Sequence, residues 1–331
     1  MATFPTINRG NLRKLRAILR SPGNKTFLVT THVNPDPDAL CSQLAVALFL
    51  KVRGKKVILL NHEEIPSRLN FLPHSHLIKS VKGVTSVHYD AAVAVDCGDL
   101  PRVGDVQSLL DPAKPLINID HHITNDGFGT CRWIDPQASS TCEILFDLFQ
   151  SLKMPLTKPL AQLLYAGIMG DTGGFRYDNT TAKTHRIAAA LQEFRLSPAD
   201  YYRKIYESIP VADLQKFIRI MNRFEFFADG RIVSLTLSEK VFDSFSEDFD
   251  LKDSVFRFLR SIKNVEVSLI FMRIGRSKTR VNLRSAGVVD VAAVALHFNG
   301  GGHRNASGCT VDRPAKDVKT QILQEIQKAL P

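Results

Sequence analysis

The sequence predicts an α/β protein with an N-terminal domain built on a parallel sheet and a smaller C-terminal α/β domain after it. Three observations predict it. Near-continuous apolar runs such as Val57-Ile-Leu-Leu60 and Ala91-Ala-Val-Ala-Val95 have the pattern of strands buried on both faces. Strand and helix signals alternate through the first half, the rhythm of a parallel sheet. After Asp135 the strand signals lapse, and they return at Arg231 with a second apolar pattern. A chain of 331 residues divides naturally into two cores.

In order along the chain, Phe27 to Thr30 reads as a strand and about Ala39 to Val52 as a helix stopped by Gly54. Strands over Lys56 to Leu60, Ala91 to Asp96 and Leu116 to Asp120 complete the first sheet. Helices follow over Thr141 to Leu152, Lys158 to Ile168 and Thr181 to Phe194. Two more reach about Arg223, broken by Pro198 and Pro210, and read as connectors. Strands return over Arg231 to Leu237, Val265 to Arg273 and Lys278 to Arg284, before a Gly300-Gly-Gly302-His303 loop and a terminal helix. The resulting domains are 1–190, a helical linker 191–225, and 226–331. Ahead of the first strand, Arg9, Arg13, Lys14, Arg16 and Arg20 stand without an acid. They read as a basic surface helix packing Leu12, Leu15 and Leu19, although an organelle transit peptide has a similar composition.

With 44% hydrophobic and 23% charged residues the chain is neither disordered nor fibrous. Its formal charge of +10 favours anionic partners such as nucleotides or nucleic acid. Five cysteines, odd in number and without a C-x-x-C pair, argue against disulfides and structural zinc and for a reducing cytosol. No apolar run has membrane-spanning length and no signal-peptide core is present, so a soluble cytoplasmic protein is expected.

Four segments carry the chemistry: His32-Val-Asn-Pro-Asp36-Pro-Asp38, Val95-Asp96, Asp120-His121-His122 and Gly170-Asp171-Thr172. Each falls at or just past the end of an element, where gathered carboxylates are costly without a cation. Asp36 and Asp38, two apart, leave an extended segment on one side, and Pro37 biases Asp36 to that geometry. Asp38 then stands at the cap of the next helix; the alternative is that it is only a cap and His32 only a loop histidine. Asp96 ends a buried strand, with Asp99 expected to pair with Arg102 beside it. His121 and His122 face opposite ways in extended geometry, so one should bind metal and the other substrate. Asp171 follows a helix and opens a turn.

Together the four segments resemble the DHH phosphoesterase superfamily in order and local spacing: H-x-x-x-D-x-D, a strand-ending D, D-H-H and D-T-G. Leu283-Arg284-Ser285 and Gly300-Gly301-Gly302-His303-Arg304-Asn305-Ala306-Ser307-Gly308 are similar to the arginine-serine and G-G-G-H-x-x-A-x-G elements of its associated C-terminal domain. Among subfamilies the chain is most similar to the two-domain nanoRNases of the NrnA type, which degrade very short RNA and dephosphorylate 3'-phosphoadenosine 5'-phosphate. The resemblance implies an active site in a cleft between domains, with two divalent ions, Mn²⁺ by donor chemistry, that activate water. One ion would be held by His32, Asp36 and Asp96, the other by Asp38, Asp96, His121 and Asp171. Asp120 would orient His121, and His122 would meet the scissile phosphate or the leaving oxygen. Arg284, Ser285, Gly301, Gly302 and His303 would hold the nucleotide.

Two positions depart from the family pattern: Pro37 and Cys41 stand where glycine is usual, which bears on specificity while leaving every ligand in place. Other residues have structural explanations. Ser140-x-x-Glu143 reads as a capping box, in a segment that the resemblance places near the site, Asn125 as an Asx-turn, Trp133 as packing and Phe224 to Phe227 as filling a domain junction. Arg273, Arg276, Lys278 and Arg280 read as a solvated basic ribbon. A phosphodiesterase for cyclic or linear dinucleotides, a pyrophosphatase and a non-catalytic nucleotide sensor are the rival readings, and a homodimer stays open.

Overall fold

A computed structural model of the chain describes residues 9–207, 209–246, 249–275 and 277–331. Residues 1–8 of the expected first domain and Arg276 of the basic ribbon lie outside them. The chain forms two compact units that divide after Ile205.

The first unit opens with helix α1 (Arg9–Arg20), followed by β1 (Thr26–Thr30), α2 (Pro37–Val52) and β2 (Lys56–Asn61). Strands β3 (Ile78–Ser80), β4 (Ala91–Val95), β5 (Leu116–Asp120) and β6 (Cys131–Ile134) complete the sheet. Their order is β3-β2-β1-β4-β5-β6 and every neighbouring pair is parallel, as predicted. The two strands not foreseen, β3 and β6, are the edges, short and without a continuous apolar run. β1 lies between β2 and β4, so the direction in which the sheet grows reverses there, and a crevice opens beyond the carboxyl ends of those strands. His32 and Asp96 follow those two ends.

Helices α3 (Thr141–Ser151) and α4 (Lys158–Asp171) pack on α2, and α5 (Ala182–Gln192) on α4. Nearly every α2 residue from Asp38 to Leu50 is buried, because the helix is covered by strands on one side and by helices on the other. Its Gln43 donates to the Val29 carbonyl and to Asn61 Oδ1 at 2.9 and 2.7 Å, which ties β1 to β2 and partners an amide that would be costly to bury alone. α1 is the expected surface helix, with Leu15 and Leu19 buried and its axis against β6.

The second unit carries a mixed sheet of β7 (Glu225–Phe227), β8 (Ile232–Ser238), β9 (Val267–Ile274), β10 (Lys278–Ser285), β11 (Gly301–His303) and β12 (Ala306–Val311). The order is β11-β12-β10-β9-β8-β7, parallel only between β8 and β9. Alternation along the strands splits the apolar residues between two cores. Val281 and Leu283 join residues of α10 (Val291–Leu296) and α11 (Ala315–Ala329) in one. Leu235 and Ile270 join α7 (Val211–Met221) and α9 (Leu251–Leu259) in the other. The expected linker 191–225 is shared out: Tyr201 of α6 (Pro198–Tyr206) packs on Phe71 and Tyr165, while Phe217 and Ile220 of α7 enter the second unit's core. Phe224 stacks on Phe258 and Phe227 packs in the other core, so this stretch serves the second unit's sheet, and Phe226 is exposed.

Candidate metal centre

β1, β4 and β5 each end in a polar residue or run straight into one, and these ends bring His32, Asp96, Asp120, His121 and His122 to one edge of the sheet. α2 contributes the aspartate pair differently from the extended geometry expected. Asp36, not Asp38, is its N-cap: it has extended backbone, and its Oδ1 accepts from Ala39 N at 3.0 Å. Pro37 is the first helical residue, where its fixed φ is already suitable and its missing N–H costs nothing. Asp38 therefore lies inside the first turn, fully buried. Its carboxylate reaches the start of α3, accepting from Thr141 N at 2.7 Å and Cys142 N at 3.0 Å, where the helix end favours negative charge. That approach needs Gly167 on α4, since a Cβ there would stand 2.3 Å from Cys142 Sγ and 2.7 Å from Asp38 Oδ1.

One ligand atom each from His32, Asp36 and Asp96 lies within 4.8 Å of the others, and the same holds for Asp38, Asp96 and His121. Asp96 belongs to both groups. It sits in left-handed backbone at φ 53°, one of the few non-glycine residue types that tolerate it, with its N–H donating to the Ile119 carbonyl at 2.9 Å. Its Oδ2 faces His32 Nε2 at 3.6 Å and its Oδ1 faces His121 Nε2 at 3.5 Å. Asp171 Oδ2 lies 2.9 Å from the same His121 nitrogen. Asp171 is the last residue of α4, not the opening of a turn beyond it, because the helix runs three residues farther than its apolar pattern.

Both histidines are held by their other nitrogen. His32 Nδ1 lies 2.8 Å from the Val33 carbonyl and His121 Nδ1 lies 3.3 Å from the Ala138 carbonyl. A carbonyl only accepts, so Nδ1 carries a proton in each ring; burial lowers the proton affinity of both rings, but the neighbouring carboxylates, Asp96 for His32 and Asp171 for His121, raise it above the ordinary value, so Nε2 holds a proton toward them that a cation would replace. The carboxylates crowd one another as well. Burial and then the charges of Asp96 and Asp171 push Asp38 well above the ordinary carboxylate range. Burial, with Asp36 and Asp96 adding to it against the pull of His121, raises Asp171 to about 6. For Asp96 burial works upward, but the hydrogen bond from His32 and the charges of three histidines hold it below the ordinary value. Imidazole nitrogens and carboxylates converging in a buried space form the donor set of a divalent cation, so these residues fit the metals that the sequence implies.

Asp120 does not orient His121. Its partner is His122, whose Nδ1 bonds Asp120 Oδ1 at 2.7 Å, and the two histidines do not face opposite ways as extended geometry predicts: their rings lie 5.1 Å apart, and His122 Nδ1 is 3.9 Å from the same Asp96 Oδ1 that His121 faces. The other Asp120 oxygen accepts from Asn125 Nδ2 at 2.6 Å. Asn125 makes the expected Asx-turn through Oδ1 to Gly127 N, but its amide also fixes Asp120 and bonds the Cys97 carbonyl, a role the sequence reading missed. Asp99 holds its loop through the backbone N–H of Arg102, not the guanidinium.

The segment from Ala138 to Glu143 serves the site more closely than a helix cap alone implies. Besides its contacts to His121 and Asp38, Thr141 Oγ1 donates to Asp96 Oδ1 at 2.8 Å. Asn179 bridges the carbonyls of Ser139 and Asp171 at 2.9 and 3.1 Å. Ser140 caps α3 as expected, but the reciprocal half of the capping box is missing. Glu143 instead takes hydrogen bonds from Ser139 and Thr184 and an ion pair from Lys183.

The candidate nucleotide residues lie in the second unit. Arg284 is half-buried on β10, its guanidinium 4.9 Å over the Phe256 ring. Ser285 is buried, and its hydroxyl accepts from Gly287 N at 3.0 Å to hold a turn. The glycine run is an edge strand, β11, rather than a loop. Gly300 and Gly302 are there for close packing, since a Cβ would meet the Gly308 carbonyl at 2.3 Å or the Ala306 carbonyl at 2.5 Å; only Gly301 has open space. His303 ends that strand, opposite Ala306.

This fold is that of a phosphoesterase, with a donor set able to hold metal ions, and comparison with known proteins assigns the family. The DHH family N-terminal domain matches residues 26–168 and the DHHA1 domain matches residues 246–330. The chain belongs to the DHH family. It is 31% identical over 100% of both chains to a probable bifunctional oligoribonuclease and PAP phosphatase NrnA of Streptococcus mutans. It is 29% identical to the bifunctional oligoribonuclease and PAP phosphatase NrnA of Bacillus subtilis, over 89% of this chain and 94% of that one. An exopolyphosphatase-related protein from Bacteroides fragilis superimposes with a TM-score of 0.85 at 25% identity, covering 98% of each chain. RecJ from Thermus thermophilus, solved in complex with Mn²⁺, shares the fold at a TM-score of 0.55 and 13% identity, over 99% of this chain and 56% of that one. No helix among the described residues is long and apolar enough to cross a membrane.

Proposed function

We propose that the chain is a two-metal phosphoesterase that hydrolyses short oligoribonucleotides and 3'-phosphoadenosine 5'-phosphate, the activities carried in the names of its NrnA relatives. The observation that supports this best is the sharing of Asp96 between the His32–Asp36 group and the Asp38–His121 group. His32, Asp36 and Asp96 would hold one ion, and Asp38, Asp96, His121 and Asp171 the other. Mixed imidazole and carboxylate donors suit Mn²⁺. Such ions polarise a phosphoryl group and offset the charge that grows during in-line displacement.

The remaining roles belong to the protein. His122, held through Nδ1 by Asp120, would meet the phosphate or the leaving oxygen, and Asp120 fixes the orientation of its ring. Arg284, Gly301, Gly302 and His303 take the nucleotide: the guanidinium offers a fork to phosphate oxygens, and the open face at Gly301 admits the ligand near the backbone.

The test is turnover by the purified full chain, with Mn²⁺ or Mg²⁺, of RNA dimers to pentamers, 3'-phosphoadenosine 5'-phosphate, linear and cyclic dinucleotides, and pyrophosphate. Short RNA and 3'-phosphoadenosine 5'-phosphate should be consumed fastest. Turnover confined to cyclic dinucleotides or pyrophosphate, or none at all, defeats the proposal.

A further inference from the structure

Helix α1 carries a concentration of charge that the metal centre does not use. Its 12 residues contain no acid. Arg13, Arg16 and Arg20 are spaced three and four apart, so one guanidinium per turn leaves a single stripe, with Cβ atoms roughly 5–6 Å apart. All three are exposed, as is Lys14 beside them, and none of the four makes an ion pair with a described residue. Arg53, just past the end of α2, extends the stripe. Its guanidinium is fixed 4.5 Å over the Phe49 ring and donates to the Leu152 carbonyl at 3.2 Å. Burial, then the charges of Arg20 and Arg16, lower its proton affinity, which places it in the field of the stripe.

Like charges at these spacings oppose the helix, and no acid relieves them. A row of phosphates would. Arginine at each stripe position offers paired donors to phosphate oxygens, which lysine does not.

We propose that the face formed by Arg13, Arg16, Arg20 and Arg53 is a docking surface for the sugar–phosphate backbone of an RNA strand. It rests on the proposed function only for the choice of RNA among polyanions. A strand fits better than a membrane surface because the apolar side of the helix is already spent: Leu15 and Leu19 are 3% and 7% exposed, leaving nothing to enter lipid.

The test is binding of a fluorescent 24-nucleotide RNA to the full chain in EDTA, by anisotropy across a KCl series. It compares the native protein with Arg13→Gln/Arg16→Gln/Arg20→Gln and with the corresponding triple lysine variant. The glutamine variant should bind at least about tenfold more weakly, with a log–log salt slope smaller by roughly 2 for three lost contacts. Its unfolding temperature and its hydrolysis of a dinucleotide should be unchanged, and the lysine variant should keep the slope. Unaltered affinity and slope in the glutamine variant overturn the proposal, as does loss of binding to phosphatidylserine vesicles without loss on RNA. Failure of all RNA hydrolysis with the slope effect intact defeats the catalytic reading and leaves the docking surface standing.

Discussion

Thr141 donates its hydroxyl proton to the Asp96 oxygen that also faces His121, and so decides how the shared carboxylate is turned. Removing that donor with little change of shape, as Thr141→Val does, should weaken divalent-ion affinity about tenfold. Thr141→Ser should restore it, and titration calorimetry with Mn²⁺ reads both. Asp120 acts on His122 through one hydrogen bond, so Asp120→Asn should lower kcat by roughly 10²-fold or more while metal stoichiometry stays as it was. Equal loss of bound metal would show Asp120 to be a ligand instead. At this scale the residue types were legible and their partners were not. Asp, His and His in a row imply a site from sequence, but that Asp120 serves His122 while both rings turn toward Asp96 is set by how the chain leaves β5. For Thr141 the resemblance placed only its segment near the site and not its own role, because a threonine at the start of a helix has an ordinary explanation in capping.

Between elements, α4 approaches α3 and Asp38 only because residue 167 lacks a side chain. Gly167→Ala should cost about 1–3 kcal/mol in urea unfolding, as overpacking does, despite alanine's better helix propensity. In the second unit Asp213 ties α7 to residue 246. Its hydrogen bonds with Lys216 and Ser246 lower its carboxyl from 3.8 to about 2. A carboxyl whose folded pKa is depressed stabilises the fold fully above its unfolded value and loses that contribution as pH falls through its folded one. Asp213→Ala should therefore lower the unfolding temperature near neutral pH, and the gap from native protein should close between about pH 4 and pH 2. A gap constant with pH would show that the ion pair is not its source. Interior strands and helices were legible within a few residues because apolar runs are long there. The edge strands β3, β6 and β11 were not, since an edge needs no apolar run and β11 is mostly glycine.

Each of the two units has its own buried cores, which predicts separate responses to ligand. Mn²⁺ at about 100 times its Kd should stabilise the first unit by roughly 2.7 kcal/mol. Calorimetry should show this as a rise in one transition with the other unmoved, and Asp96→Asn should abolish it. By itself the sequence determined the α/β class, the two-unit plan and the set of side chains able to hold metal, because buried strands, helix periodicity and acidic element ends are each written in adjacent residues. Only the tertiary structure decided that Asp36 caps α2 while Asp38 crosses to α3, how Asp96, which the family resemblance already assigns to both groups, is turned between them, and that Ser285 turns inward. Those outcomes depend on contacts between residues far apart in the chain, such as 38 with 141 and 96 with 32, and local sequence pattern carries no record of which distant partner a side chain will meet.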